Sequence, residues 1–190
     1  LFDTLCISFG TAGTGGFGIV NDSMGSYSTY CQVVTTIFMI LFGVNFSAYY
    51  LLLTKKFVQA FKFEEVRYYF GIILAAILVI GLNTAHLFRN LGEAFQQAAF
   101  QVGSIITTTG FSSTDFSQWP SLSKTILVLL MFVGACAGST GGGIKVSRIL
   151  ILCKAAKKEF QLYLHPNAVK KSKWMKKRLD MISSDLQTFI

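Results

Sequence analysis

Long apolar runs alternate with short polar ones along this chain. Residues 30–54 are apolar for 25 positions, a length of roughly 37 Å as a helix, which is enough to cross a bilayer. They predict one continuous span. Its polar interruptions, Thr35, Thr36, Asn45 and Ser47, are expected to face protein rather than lipid. Asn45 reads equally as a helix-to-helix hydrogen bond and as a pore-lining amide. Residues 66–82 predict a second span running back, with Tyr68 and Tyr69 at the membrane interface. Residues 91–106 predict a shorter helix with Glu93 in its first turn, and residues 1–10 the end of a similar one. Residues 121–137 are apolar for about 25 Å. There the text changes to Gly138-Ser139-Thr140-Gly141-Gly142-Gly143, before apolar helical text resumes at Ile144 and runs to about Leu164.

The two short helices end alike. Thr107-Thr108-Thr109-Gly110-Phe111 follows residues 91–106, and Thr14-Gly15-Gly16-Phe17 stands 94 positions earlier. Superposing Gly16 on Gly110 also superposes Thr14 on Thr108 and Phe17 on Phe111. The chain therefore carries one unit twice: short helix, Thr/Gly turn, long apolar helix. Each turn reads as a pore loop whose carbonyl oxygens face a permeating cation. An ion leaving water needs oxygen ligands at each step, and backbone carbonyls supply them. Aiming successive carbonyls to one side needs backbone angles that glycine adopts cheaply. The preceding helix points its partly negative end at the ion. Irregular backbone persists at membrane depth only where protein or an aqueous path surrounds it.

Successive glycines at Gly141, Gly142 and Gly143 do not propagate a helix, each costing about 1 kcal/mol against alanine. Residues 134–143, opening on Gly134, read as an intramembrane loop lining the inner cavity, able to obstruct the pore and to move aside. Lys145 follows at once. It reads either as a cavity-facing cation or, with Arg148, as the beginning of the inner interface.

Composition agrees with a membrane class: of 190 residues 52% are hydrophobic and 14% charged, with a mean hydropathy of +0.53. The net charge of +8 is unevenly placed. Of 17 Lys and Arg, four lie at Lys55, Lys56, Lys62 and Arg67, and eleven between Lys145 and Arg178. Basic clusters bordering apolar spans follow the positive-inside rule rather than a nucleic-acid surface. They put residues 55–65 and 165–190 in the cytoplasm and both Thr/Gly turns toward the outer face. The basic C-terminal segment suits the anionic inner leaflet or a cytoplasmic partner. The chain opens on Leu1 without a signal-peptide pattern and reads as a fragment of a longer protein.

Enzymatic readings fail on context. Residues 13–18 match GxGxxG formally, but a polar turn follows where a dinucleotide site needs a helix. Residues 138–145 resemble a phosphate loop, yet Ile144 separates the last glycine from Lys145. Cys6, Cys31, Cys136 and Cys153 show no metal or disulfide spacing. Adjacent Glu64 and Glu65 flank basic residues and read as a solvated charge cluster. Asp115 reads as a turn residue bonding its own backbone. The predicted class is an all-α integral membrane protein and not an enzyme.

Five motifs, in this order and spacing, resemble the Trk/Ktr/HKT superfamily of potassium transporters, specifically its TrkH/KtrB-type membrane subunit. They are the two Thr/Gly turns, Gly43-Val44-Asn45-Phe46, residues 137–145 and His165-Pro166-Asn167-Ala168-Val169. The resemblance covers residues 1 to about 169. It implies a potassium-channel-like fold of four helix–pore loop–helix repeats around one pore. Residues 1–54 are then the pore loop and second helix of one repeat, and 55–65 a cytoplasmic connection. Residues 66–164 make the complete next repeat, and 165–190 a basic cytoplasmic segment. The implied ligands for a potassium ion, the transported substrate, are the carbonyls of Thr14, Gly15, Gly16, Thr108, Thr109 and Gly110. The implied gate is Gly134 with residues 138–143 and Lys145. Also implied are a homodimer in the bacterial inner membrane and a TrkA- or KtrA-like cytoplasmic ring, with nucleotide bound only on that ring. Serine at a filter glycine goes with sodium preference in this family; a sodium-permeable relative is the alternative reading.

Overall fold

The computed structural model of the chain describes residues 1–55 and 63–164, and all regular structure among them is helical. Helix α1 runs Phe2–Ala12, α2 Thr29–Phe42, α3 Phe46–Leu53 and α4 Glu64–Thr84, the last continued by a 3-10 turn, Ala85–Leu87. Helix α5 runs Leu91–Ile106, then a 3-10 turn Phe116–Gln118, α6 Ser121–Val133 and α7 Val146–Leu164. By internal contacts the chain forms two units, Leu1–Leu152 and Cys153–Ile190. The account below concerns the first; the described part of the second is helical. The expectations for residues 165–190 lie outside the described residues.

Helix α5 sits centrally, packed against α2, α4 and α6. Its Ala98, Val102 and Ile106 are fully buried and meet Ile73 and Ile80 of α4 and Leu127 and Leu130 of α6. Glu64 and Glu65 begin α4 at its positive end. Glu64–Leu87 is long and apolar enough to cross a membrane, and only 28% of its most apolar stretch is buried within the chain. Such a helix turns most of its apolar surface outward, as lipid contact requires.

Residues 30–54 are not the single span their apolarity predicts. Helices α2 and α3 meet at 92°. The break has identifiable chemistry. Asn45 Oδ1 accepts from Ser47 N at 2.8 Å and so caps α3, where helix termini leave unpaired N–H groups. Asn45 is therefore a helix cap, a role that neither predicted reading included. Gly43 O accepts from Cys136 N at 3.0 Å, and Phe46 N donates to Gly138 O at 3.0 Å. The bent segment thus bonds to residues 136–138, which periodicity in the sequence does not reveal.

Tyr69 also departs from expectation. It is fully buried and donates its hydroxyl to Ile40 O at 3.0 Å, while only Tyr68 is exposed. A Cβ on Gly43 would stand 2.2 Å from that hydroxyl and 2.8 Å from Thr107 Cγ2. Gly43→Ala is expected to destabilise the protein by about 2–3 kcal/mol through overpacking and loss of the Tyr69 hydrogen bond. Thermal unfolding in detergent checks this, and an unchanged midpoint would refute it.

Candidate functional site

Both Thr/Gly turns are built by the same local rules, 94 positions apart. Helix α1 ends at Ala12 and α5 at Ile106. Gly13 N donates to Phe9 O at 2.8 Å as Thr107 N does to Gly103 O at 3.2 Å. Thr14 N donates to Thr11 O at 3.3 Å as Thr108 N does to Ile105 O at 3.0 Å. Gly15 N donates to Gly10 O at 2.8 Å as Thr109 N does to Ser104 O at 2.9 Å. Left-handed φ values recur at equivalent places: 51° at Thr14 and 58° at Thr108, 69° at Gly16 and 87° at Gly110. Gly15 and Thr109 between them keep negative φ. An extended strand sends successive carbonyls to opposite sides. A left-handed residue at every second place cancels that alternation. Threonine rarely takes such angles, and two threonines do so here at matching positions.

The turns also touch. A Cβ on Gly16 would fall 1.8 Å from Thr109 O and 2.8 Å from Thr109 C. Around Gly110 the corresponding space is open. The two phenylalanines are not equivalent. Phe111 is buried with Met24, Met39 and Phe100, whereas Phe17 is 84% exposed. Thr107 and Thr109 turn their hydroxyls into the protein, where they bond one another at 2.8 Å. For these two threonines only the backbone is free to serve an ion.

Residues 134–145 fold back beneath the turns. Gly134 and Gly143 carry φ of 70° and 82° and face each other so closely that a Cβ on Gly143 would lie 2.6 Å from Gly134 Cα. Backbone bonds close the loop: Ala135 N to Gly142 O at 3.3 Å, Ile144 N to Phe132 O at 3.2 Å and Val146 N to Ala135 O at 3.1 Å. Lys145, at φ 79°, donates its ammonium to Gly141 O within the loop. The helix stops at Val133 and resumes at Val146, a wider break than residues 138–143 alone.

Loop and turns are joined through the paired threonines. Thr14 Oγ1 donates to Thr140 O at 2.9 Å, and Thr108 Oγ1 accepts from Gly142 N at 2.7 Å. Thr140 Oγ1 reaches Phe42 O at 3.4 Å, at the α2–α3 break. The structure thus brings together residues 14–16, 108–110 and 138–143.

Sequence reasoning missed two supports. Behind the second turn lies a polar network. Gln32 Oε1 accepts from Gln96 at 3.0 Å and Gln97 at 3.2 Å, Ser113 donates to Gln97, and Gln101 donates to Thr114 O at 3.2 Å. Gln32, Gln97 and Gln101 are buried. Gln97 and Gln101, one turn apart in an apolar helix, were its signal. The second is Glu65, which is no solvated charge but bonds the backbone of Ala137 and Ser147. Asp115 behaves as predicted: Oδ1 accepts from Ser117 N at 2.9 Å, and hydrogen bonds from Ser117 hold its carboxyl below its ordinary value.

An all-helical membrane chain with two superposable re-entrant turns over a broken helix defines a pore-loop class of membrane protein. The chain belongs to the TrkH family of cation transport proteins, which it matches over residues 1–186. It is 35% identical to the Trk system potassium uptake protein TrkH of Vibrio parahaemolyticus over 174 residues, 88% of this chain and 36% of that protein. It is 33% identical to the Trk system potassium uptake protein TrkG of Escherichia coli, over 89% of this chain and 36% of that one. The crystal structure of the potassium transporter TrkH from Vibrio parahaemolyticus superposes with a TM-score of 0.84 at 36% identity, covering 90% of this chain and 38% of that chain. The chain spans little more than a third of the length of these relatives.

Proposed function

We propose that the chain contributes two of the pore loops of a potassium uptake subunit. The backbone carbonyls of residues 14–16 and 108–110 line the ion path, and residues 134–145 gate it from the cytoplasmic side. The observation that carries this reading is the repeat of left-handed positions and hydrogen bonds 94 positions apart. A ring of carbonyls around one axis needs equivalent backbones from each contributing loop. The relatives' names supply potassium as the ion. Glycine at both Gly16 and Gly110 supports potassium over the sodium-permeable alternative.

The relatives' naming as members of a Trk system supports assembly with further subunits. The proposed assembly is a homodimer in a bacterial inner membrane, with a nucleotide-binding cytoplasmic ring facing the basic segments. Residues 1–54 close one repeat and residues 66–164 form the next.

Gly110→Ser tests the reading. Open space receives the side chain, so the cost is that of a left-handed residue, about 1–2 kcal/mol. The protein should fold and take up rubidium, with potassium-over-sodium preference reduced about tenfold. Unchanged preference in a folded variant would count against an ion-lining role for the second turn.

A further inference from the structure

Glu65 stands in the first turn of α4, far in sequence from the broken helix. One oxygen of its carboxylate, Oε1, accepts from Ala137 N at 2.6 Å and from Ser147 N at 3.2 Å. These amides stand on either side of the glycine-rich stretch 138–143. Ala137 N opens the glycine-rich stretch, and Ser147 N belongs to the first turn of α7, where an amide has no i−4 carbonyl inside the helix and the helix end is positive. A carboxylate only accepts, and its bonds to N–H groups are stronger than neutral ones. The half-buried side chain therefore ties the two ends of that stretch together through a single atom. Lys145 holds the same loop from within, through Gly141 O.

We infer that Glu65 is the positioning residue of the 134–145 loop, a clasp on α4 that keeps the loop seated under the two Thr/Gly turns. The consequence for conduction rests on the gate reading above. With the clasp removed, the loop leaves Thr14 and Thr108 more often and ions pass without an activating signal.

The test uses the full-length subunit as Glu65→Ala and Glu65→Gln, beside a variant lacking residues 138–143. Two quantities are read: amide hydrogen exchange across residues 134–147 and basal rubidium flux. The informative amide is Gly142 N, which bonds to Thr108 Oγ1 and not to Glu65. Glu65→Ala should speed its exchange about tenfold, the scale of losing a charge-assisted bond. Glu65→Gln, which keeps one acceptor oxygen without the charge, should fall between and decides the matter if the alanine variant does not insert. Unchanged Gly142 exchange in a folded variant overturns the clasp. Faster exchange with flux unaltered in both Glu65→Ala and the deletion leaves the clasp standing and overturns the gate.

Discussion

Gly16→Ala is expected to cut rubidium uptake by at least about tenfold while leaving the protein inserted and folded. Its Cβ would lie 1.8 Å from Thr109 O and 2.8 Å from Thr109 C. Both are backbone atoms, so no rotamer change relieves the clash. The residue also needs φ of 69°, which costs an alanine about 1–2 kcal/mol. Overpacking adds about 1–3 kcal/mol, and every 1.4 kcal/mol is a factor of ten. The turns must separate, and the carbonyls they present separate with them. Gly110 has the same left-handed φ without the clash, so Gly110→Ala is expected to be the milder of the two. Uptake measured against protein inserted in the membrane checks the ranking. Equal effects would show that the contact between the turns carries nothing.

Deleting residues 138–143 is expected to raise basal cation flux several-fold. The deletion removes the bonds from Phe46 N to Gly138 O, from Thr14 to Thr140 O and from Gly142 N to Thr108. Three hydrogen bonds at about 1 kcal/mol each correspond to roughly a hundredfold change in loop occupancy. Flux should rise by less, because other barriers then limit it. Potassium preference should persist, since both turns keep their own backbone bonds. Normal insertion with flux at the wild-type level would refute the gate.

What was legible in the sequence was what one segment dictates by itself. Helix α5 has the predicted bounds because an apolar run sits between Asn90 and a Thr/Gly turn. The pairing of Gly16 with Gly110 could be read from residue types alone, and the backbone repeats it in the bonds of residues 13–15 and 107–109. The glycine run announced a helix broken over residues 134–143, and the observed break, Gly134 to Lys145, extends two residues further. What could not be read depends on segments distant in sequence. The 92° bend between α2 and α3 occurs where apolarity continues unbroken, because Gly43 and Phe46 bond to Cys136 and Gly138. Tyr69 resembles an interfacial aromatic until its hydroxyl finds Ile40 O. Glu65, beside basic residues, has the text of a surface charge, and only the fold brings Ala137 and Ser147 to it.

The most direct measurement is cation competition. The full-length subunit is placed in liposomes under an outward potassium gradient, and rubidium uptake is followed with potassium or sodium added outside. Uptake suppressed by potassium and not by sodium, and lost in Gly16→Ala, is the predicted result. Uptake suppressed equally by both ions, or untouched by substitution at Gly16, would contradict a potassium path lined by the two turns.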